Sequence, residues 1–263
     1  MLSEPLVYVV ALVAAFVIAT LASPVGVSGA VLLLPFQVSV LGTPSPAVTP
    51  TNLLYNTVAT PGALYRYWRQ NQTGGALTRV LLAGTIPGVV AGAIVRVELL
   101  PDPRAFQAVI AIVLIPLGAW ILVGRRSGPI RLRAAHINSV VLAVIAALVG
   151  CVGGIYGIGG GSLLAPILIG SGRSPSEVAP ATLASTFVTS VAGVITFVLL
   201  SVEHQGMVAP DWGIGLALGV GGLVGGYTGA LLQPHLPEIA IRRLLGLLVL
   251  AIGIRYAWLA WSE

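Results

Sequence analysis

The feature that most constrains this chain is a succession of ten apolar runs, bounded by charges or by Gly and Pro clusters, with little polar length between them. They lie at about 5–22, 26–42, 48–65, 78–97 and 103–123, then at 136–153, 158–172, 178–201, 212–232 and 239–261. A helix needs about 20 predominantly apolar residues to cross a bilayer, and most of the runs reach or approach that length. A soluble fold would need a polar face on every element. The composition denies it one, because 57% of the residues are hydrophobic and 8% are charged, against about 25% charged in soluble domains. Mean hydropathy, at +1.00, points the same way. The expected fold class is an all-α polytopic membrane protein with lipid as its outer solvent.

The ten runs form two sets of five. A shift of 131 positions lays Gly26-Val27-Ser28-Gly29 over Gly157-Ile158-Gly159-Gly160, and Leu32-Leu33-Leu34-Pro35 over Leu163-Leu164-Ala165-Pro166. The match continues through Thr43-Pro44-Ser45 over Ser174-Pro175-Ser176. After a one-residue slip it runs through Val48-Thr49-Pro50 over Val178-Ala179-Pro180. This is an internal duplication, with repeats at 1–130 and 131–263 forming one membrane domain. The second run of each repeat is short and glycine-led, so each either spans or re-enters, giving 8–10 transmembrane or half-membrane helices.

Five crossings per repeat would make the second copy enter from the opposite face, as in many secondary transporters. Charge supports that inverted arrangement. All 13 basic residues are arginines. With the Arg-rich linker after the fifth run inside, Arg66, Arg69, Arg79, Arg125, Arg126, Arg131, Arg133, Arg173, Arg242 and Arg243 face the cytoplasm, and only Arg96, Arg104 and Arg255 fall outside. That asymmetry obeys the positive-inside rule and puts both termini outside. If the short runs re-enter instead, eight crossings result, the repeats become parallel, and Arg242 and Arg243 move outside.

The net charge of +5 does not mark a nucleic-acid binder, since the arginines sit between apolar runs rather than on one face. The run from Pro5 to Ala22 follows Glu4 and lacks a basic leader region, so it is expected to remain as the first membrane segment. Cys151, the single cysteine, lies within an apolar run and offers neither a disulfide framework nor a thiol metal cluster. No cofactor, metal ligand set or catalytic residue is expected.

The sharpest local feature is Gly157-Ile158-Gly159-Gly160-Gly161-Ser162, with Gly26-Val27-Ser28-Gly29 in the equivalent place. A phosphate-binding P-loop needs a lysine, and the chain has none. Glycines at this density let the backbone unwind, and a helix starting at membrane depth directs free N–H groups and positive dipole into a cavity, where they attract anions. The alternative is that these glycines only let helices touch. Gly84, Gly88 and Gly92, and Gly221, Gly225 and Gly229, repeat every four residues and read as packing faces.

Asn52, Asn56 and Thr60 also share one helical face, and Thr182, Thr186 and Ser190 occupy the matching face of the second repeat. Two such faces meeting near the midplane would make a neutral hydrogen-bonding pocket that avoids a buried unpaired arginine. Simple interhelical bonding is the competing explanation, strongest for the threonines and serines. The expected substrate-binding set is Gly26, Ser28, Gly29, Asn52, Asn56, Gly157, Gly159, Gly160, Gly161, Ser162, Thr182 and Thr186. No acid lies in the middle of a run, and His136 and His204 fall at run ends or in loops, where an interfacial role is the simpler reading.

The glycine-rich stretch leading into Leu-Leu-x-Pro, the following Pro-Ser with its polar helix, and the repetition of that block resemble the sulfite exporter TauE/SafE family of membrane permeases. The resemblance covers nearly the full chain, and its most specific piece is Gly157 through Pro166; the first copy departs by having fewer glycines. It implies a permease that moves small sulfur-containing anions, such as sulfite, sulfoacetate or related organosulfonates, across the cytoplasmic membrane. A proton or sodium ion is the candidate coupling partner. The runner-up readings are an intramembrane enzyme using Ser162 with a histidine, for which no H-E-x-x-H or G-x-S-x-G motif exists, and a structural membrane scaffold, which would not need polar faces in both halves.

Overall fold

Apolar side chains have no reason to hide from lipid, so the bundle is expected to bury its polar groups instead. A computed structural model describes residues 4–22, 28–69, 75–100, 102–123, 138–170, 173, 175–204, 208–232 and 238–262. Among them all regular structure is helical, and one helix follows each apolar run. The first five are α1 (Glu4–Ala22), α2 (Ala30–Phe36, continued by a π-helical turn over Gln37–Leu41), α3 (Val48–Arg69), α4 (Gly75–Ile94, continued by a π-helical turn over Val95–Leu99) and α5 (Pro103–Val123). The second five are α6 (Ser139–Tyr156), α7 (Gly161–Gly170), α8 (Pro175–Glu203), α9 (Trp212–Leu232) and α10 (Glu238–Ser262).

Pro5–Ala22, Gly75–Leu99, Ser139–Tyr156 and Pro180–Glu203 are each long and apolar enough to cross a membrane. The chain is a multi-pass membrane protein. α7 has 10 residues; at about 1.5 Å per residue it covers about 15 Å, half of a hydrocarbon core of about 30 Å. That length suits a half-membrane helix, and α2 with its π-helical turn, Ala30–Leu41, is likewise a short apolar helix. The side chains follow the lipid rule. Leu12, Val13 and Val17 on α1, Val144 and Leu148 on α6, and Val220 and Val224 on α9 face outward, whereas Thr49, Asn52, Asn56, Thr85, Thr182, Ser185, Thr189 and Ser190 are buried.

The most extensive helix pairings are α1 with α9, α4 with α6, α5 with α10, α3 with α8, α3 with α9 and α4 with α8. Exchanging each helix for the one five places away turns this set into itself. Both glycine stripes lie in these seams. A methyl group on Gly84, Gly88 or Gly92 would overlap the backbone carbonyl oxygens of Ala143, Ala147 and Cys151 on α6. One on Gly221, Gly225 or Gly229 would overlap those of Leu12, Phe16 and Thr20 on α1. Backbone-to-backbone approach of this kind is what small residues permit in a bilayer, where dispersion replaces the hydrophobic effect between helices.

Candidate functional site

The α6–α7 connection starts where α6 ends at Gly157, whose φ of +81° is left-handed; Gly159 follows at +66°. That conformation costs an L side chain about 1–2 kcal/mol, and the surroundings leave no room for one. A Cβ on Gly157 would lie 2.6 Å from the Thr49 carbonyl oxygen and 3.3 Å from Asn52 Cβ, both on α3. On Gly159 it would lie 2.9 Å from Ser190 Oγ and 3.1 Å from Thr186 Cγ2, both on α8. A methyl on Gly160 would come 2.8 Å from Thr85 Cγ2 on α4, and one on Gly161 would overlap the Thr182 carbonyl and Thr186 Oγ1. The glycine turn is therefore wedged between α3, α4 and α8, and it aims the first turn of α7, whose N–H groups have no intrahelical partners, into that junction.

The first repeat adds contacts of its own to this junction. Ser28 Oγ accepts the backbone N–H of Ala30 (3.2 Å) at the start of α2 and donates to Asn56 Oδ1 (3.3 Å). The amide nitrogen of Asn56 reaches the Gly157 carbonyl at 3.5 Å. One side chain thus touches the glycine-led segments of both halves. Tyr156 adds a second tie, its hydroxyl donating to the Val31 carbonyl on α2 (2.9 Å). Gly29 packs beneath the Tyr55 hydroxyl, 2.6 Å from where its Cβ would stand.

Asn52 plays a different part from Asn56. Its Nδ2 donates to the Ala30 carbonyl (2.9 Å) and its Oδ1 accepts from Gln37 Nε2 (3.1 Å), so its amide pins both ends of α2 to α3. Thr182 Oγ1 turns back to the Val178 carbonyl (2.9 Å), the local bonding that competes with a ligand role, and Ser162 Oγ makes a long contact to the Ile158 carbonyl (3.4 Å). Ser190, like Gln37 with its unpartnered Oε1, is an exception. Its hydroxyl is fully buried, faces Gly159, and has no hydrogen-bond partner. Buried polar atoms are rarely left in that state.

Of the twelve residues expected from sequence, eleven lie in one contiguous region around α2, α3, α7 and α8; Gly26 falls outside the described residues, as do His136 and the arginines at 125, 126, 131 and 133. Gln37, Thr49 and Thr85 belong to the region as well and were not expected there. Each is a polar residue inside an apolar run, a signal that the four-residue spacing used for the asparagines did not capture.

A further finding concerns Arg96, which the arginine asymmetry assigns to the outer side of the membrane. It is fully buried in the π-helical turn that extends α4, with Nε donating to Thr49 Oγ1 at 3.3 Å. The expectation of a polar region free of buried arginine does not hold. At the same end, His204 pairs with Glu98 (3.4 Å), and Asp211 N–H donates to Thr51 Oγ1 (2.8 Å). Among the described residues no group of three or more His, Cys, Asp or Glu side chains is arranged to hold a metal ion.

Half-membrane helices whose starts converge on buried polar side chains, inside a bundle with an apolar exterior, define a multi-pass membrane protein of the transporter class. Comparison with known proteins gives the family. The model of the sulfite exporter TauE/SafE family matches residues 11–256, and the chain belongs to that family. It is 27% identical over 247 residues to a probable membrane transporter protein of Xylella fastidiosa (strain Temecula1 / ATCC 700964), covering 90% of each chain. Over 110 residues it is 34% identical to the probable membrane transporter protein YunE of Bacillus subtilis, 41% of this chain and 38% of that one. A stretch of 72 residues, 27% of this chain and 16% of the other, is 38% identical to sulfite exporter TauE/SafE family protein 1 of Arabidopsis thaliana. No solved structure gives a significant match. Family and relatives' names alike indicate a membrane transporter rather than an enzyme.

Proposed function

We propose that the chain is a secondary transporter in the cytoplasmic membrane that moves a small anion, of the sulfite or organosulfonate kind, by alternating access between two inverted repeats. The observation that carries this reading is Asn56. It sits between Ser28 of one glycine-led segment and Gly157 of the other, through contacts of 3.3 and 3.5 Å that are long for hydrogen bonds. Weak contacts of this kind exchange readily for those of a ligand. Around them stand the N-terminal turn of α7, which favours negative charge, and the unpartnered hydroxyl of Ser190.

The self-mapping set of helix pairings supports two equivalent halves that rock against each other. The names of the relatives support the substrate class, since the plant protein is called a sulfite exporter family member. Flux into proteoliposomes is the test. Sulfite, sulfoacetate, sulfate and chloride are presented with and without proton and sodium gradients, and saturable flux of a sulfur oxyanion that responds to one gradient is the expected result. Flux indistinguishable from protein-free vesicles for every anion would defeat the reading.

A further inference from the structure

Arg96 is the one fully buried charged side chain among the described residues. Its surroundings are uncharged. Nε donates to Thr49 Oγ1 (3.3 Å), Nη1 to the Leu100 carbonyl oxygen, Nη2 to Ser45 Oγ, and the guanidinium lies over the Phe106 ring, 3.8 Å from its centroid. No carboxylate among the described residues comes within ion-pair reach of it. Glu98, two positions along, is turned to His204 instead. A guanidinium carries five N–H donors in a planar fork; three contacts use part of that capacity and leave the charge uncompensated.

A buried charge without a counterion is strongly unfavourable in a protein interior and is rare and functional inside membrane segments. Its position links it to the transport region through one residue. Thr49 accepts from Arg96, donates in turn to the Ile155 carbonyl at the end of α6 (3.2 Å), and holds its own carbonyl against Gly157. The four groups around the guanidinium come from different places: the α2–α3 connection (Ser45), the start of α3 (Thr49), the end of α4 (Leu100) and α5 (Phe106). Each is neutral, and an oxyanion would outcompete any of them, because it brings the opposite charge and accepts two parallel N–H bonds from the guanidinium fork.

We propose that Arg96 is the charge-recognising residue for the transported oxyanion, latched by neutral partners in the state seen here and turned to the anion when the start of α3 and α5 part. This rests on the anion-transport reading and assigns its specificity. A fork matches two oxygens borne on one atom, so the preferred class is an oxyanion over a halide.

The experiment uses the full chain in proteoliposomes, as wild type, Arg96→Lys and Arg96→Gln, with sulfite and chloride as probes and the melting temperature of each purified variant measured alongside. Arg96→Lys keeps the charge and loses the fork. It is expected to raise the KM for sulfite at least about tenfold and to narrow the preference for sulfite over chloride, while Arg96→Gln removes saturable sulfite flux. If Arg96→Gln does not fold, Arg96→Lys decides. A KM and an anion preference within about twofold of wild type in Arg96→Lys, whatever happens to its melting temperature, would make the arginine structural and overturn the proposal. Absence of anion flux in the wild type would overturn the transport reading itself, which separates the two failures.

Discussion

Asn52 and Asn56 sit one turn apart on the same face of α3, yet their bonds divide their roles. Asn52 is held tightly by α2, through the Ala30 carbonyl and the Gln37 amide, at 2.9 and 3.1 Å. Asn56 holds Ser28 and Gly157 at 3.3 and 3.5 Å. Asn52→Leu would leave two buried partners unsatisfied, at about 1–3 kcal/mol, so its melting temperature should fall clearly. Asn56→Leu should weaken apparent substrate affinity about tenfold, worth about 1.4 kcal/mol, with a smaller loss of stability. Flux kinetics and melting curves on the same two preparations check this; a reversal, with Asn52→Leu stable and weak-binding, would exchange the assignments. Sequence spacing placed both residues on one face and could not separate them, because which amide is already bonded depends on where α2 docks.

At the level of helices, the two glycine stripes make a matched pair of tests. Gly88 faces the Ala147 carbonyl across the α4–α6 seam, and Gly225 faces the Phe16 carbonyl across the α9–α1 seam. Replacing either by Leu forces two backbones apart, so both variants should lose most of the folded protein, recovered as a smaller monodisperse peak on size exclusion from detergent. A well-folded Gly88→Leu protein would remove the seam from the account. These seams were legible beforehand, since three glycines at intervals of four can lie only on one stripe. So were the ten helices, whose apolar runs stand out against sparse charge. The glycine-led helices were legible as short, but their starting points were not. α2 begins at Ala30, just after Gly29, and α7 at Gly161, the last glycine of its run, because left-handed Gly157 and Gly159 are used for the turn before α7. Arg96 escaped because a charge one turn from the end of an apolar run looks the same whether it snorkels to water or folds inward over an aromatic ring.

On the scale of the whole molecule, five apolar runs per repeat and the arginine asymmetry lead us to propose that both termini lie outside. Reporters fused to each end should be active only when they fold in the external compartment; activity of both in the cytoplasm would favour eight crossings and parallel repeats. The pattern of seams bears on how such a protein is made. α1 and α3 find their principal neighbour in α9, α4 finds one in α6, and α5 finds its own in α10, so the strongest surfaces of four of the first five helices await helices synthesised later. A nascent chain halted after α5 would carry the carbonyl row of α1 and the glycine stripe of α4 open to lipid, with nothing on its own half to cover them. Closure is therefore stepwise, α4 against α6 first and α1 and α5 only once α9 and α10 follow, and a ribosome stalled before those last helices leaves behind an unlocked half-bundle for the quality-control proteases of the membrane to find.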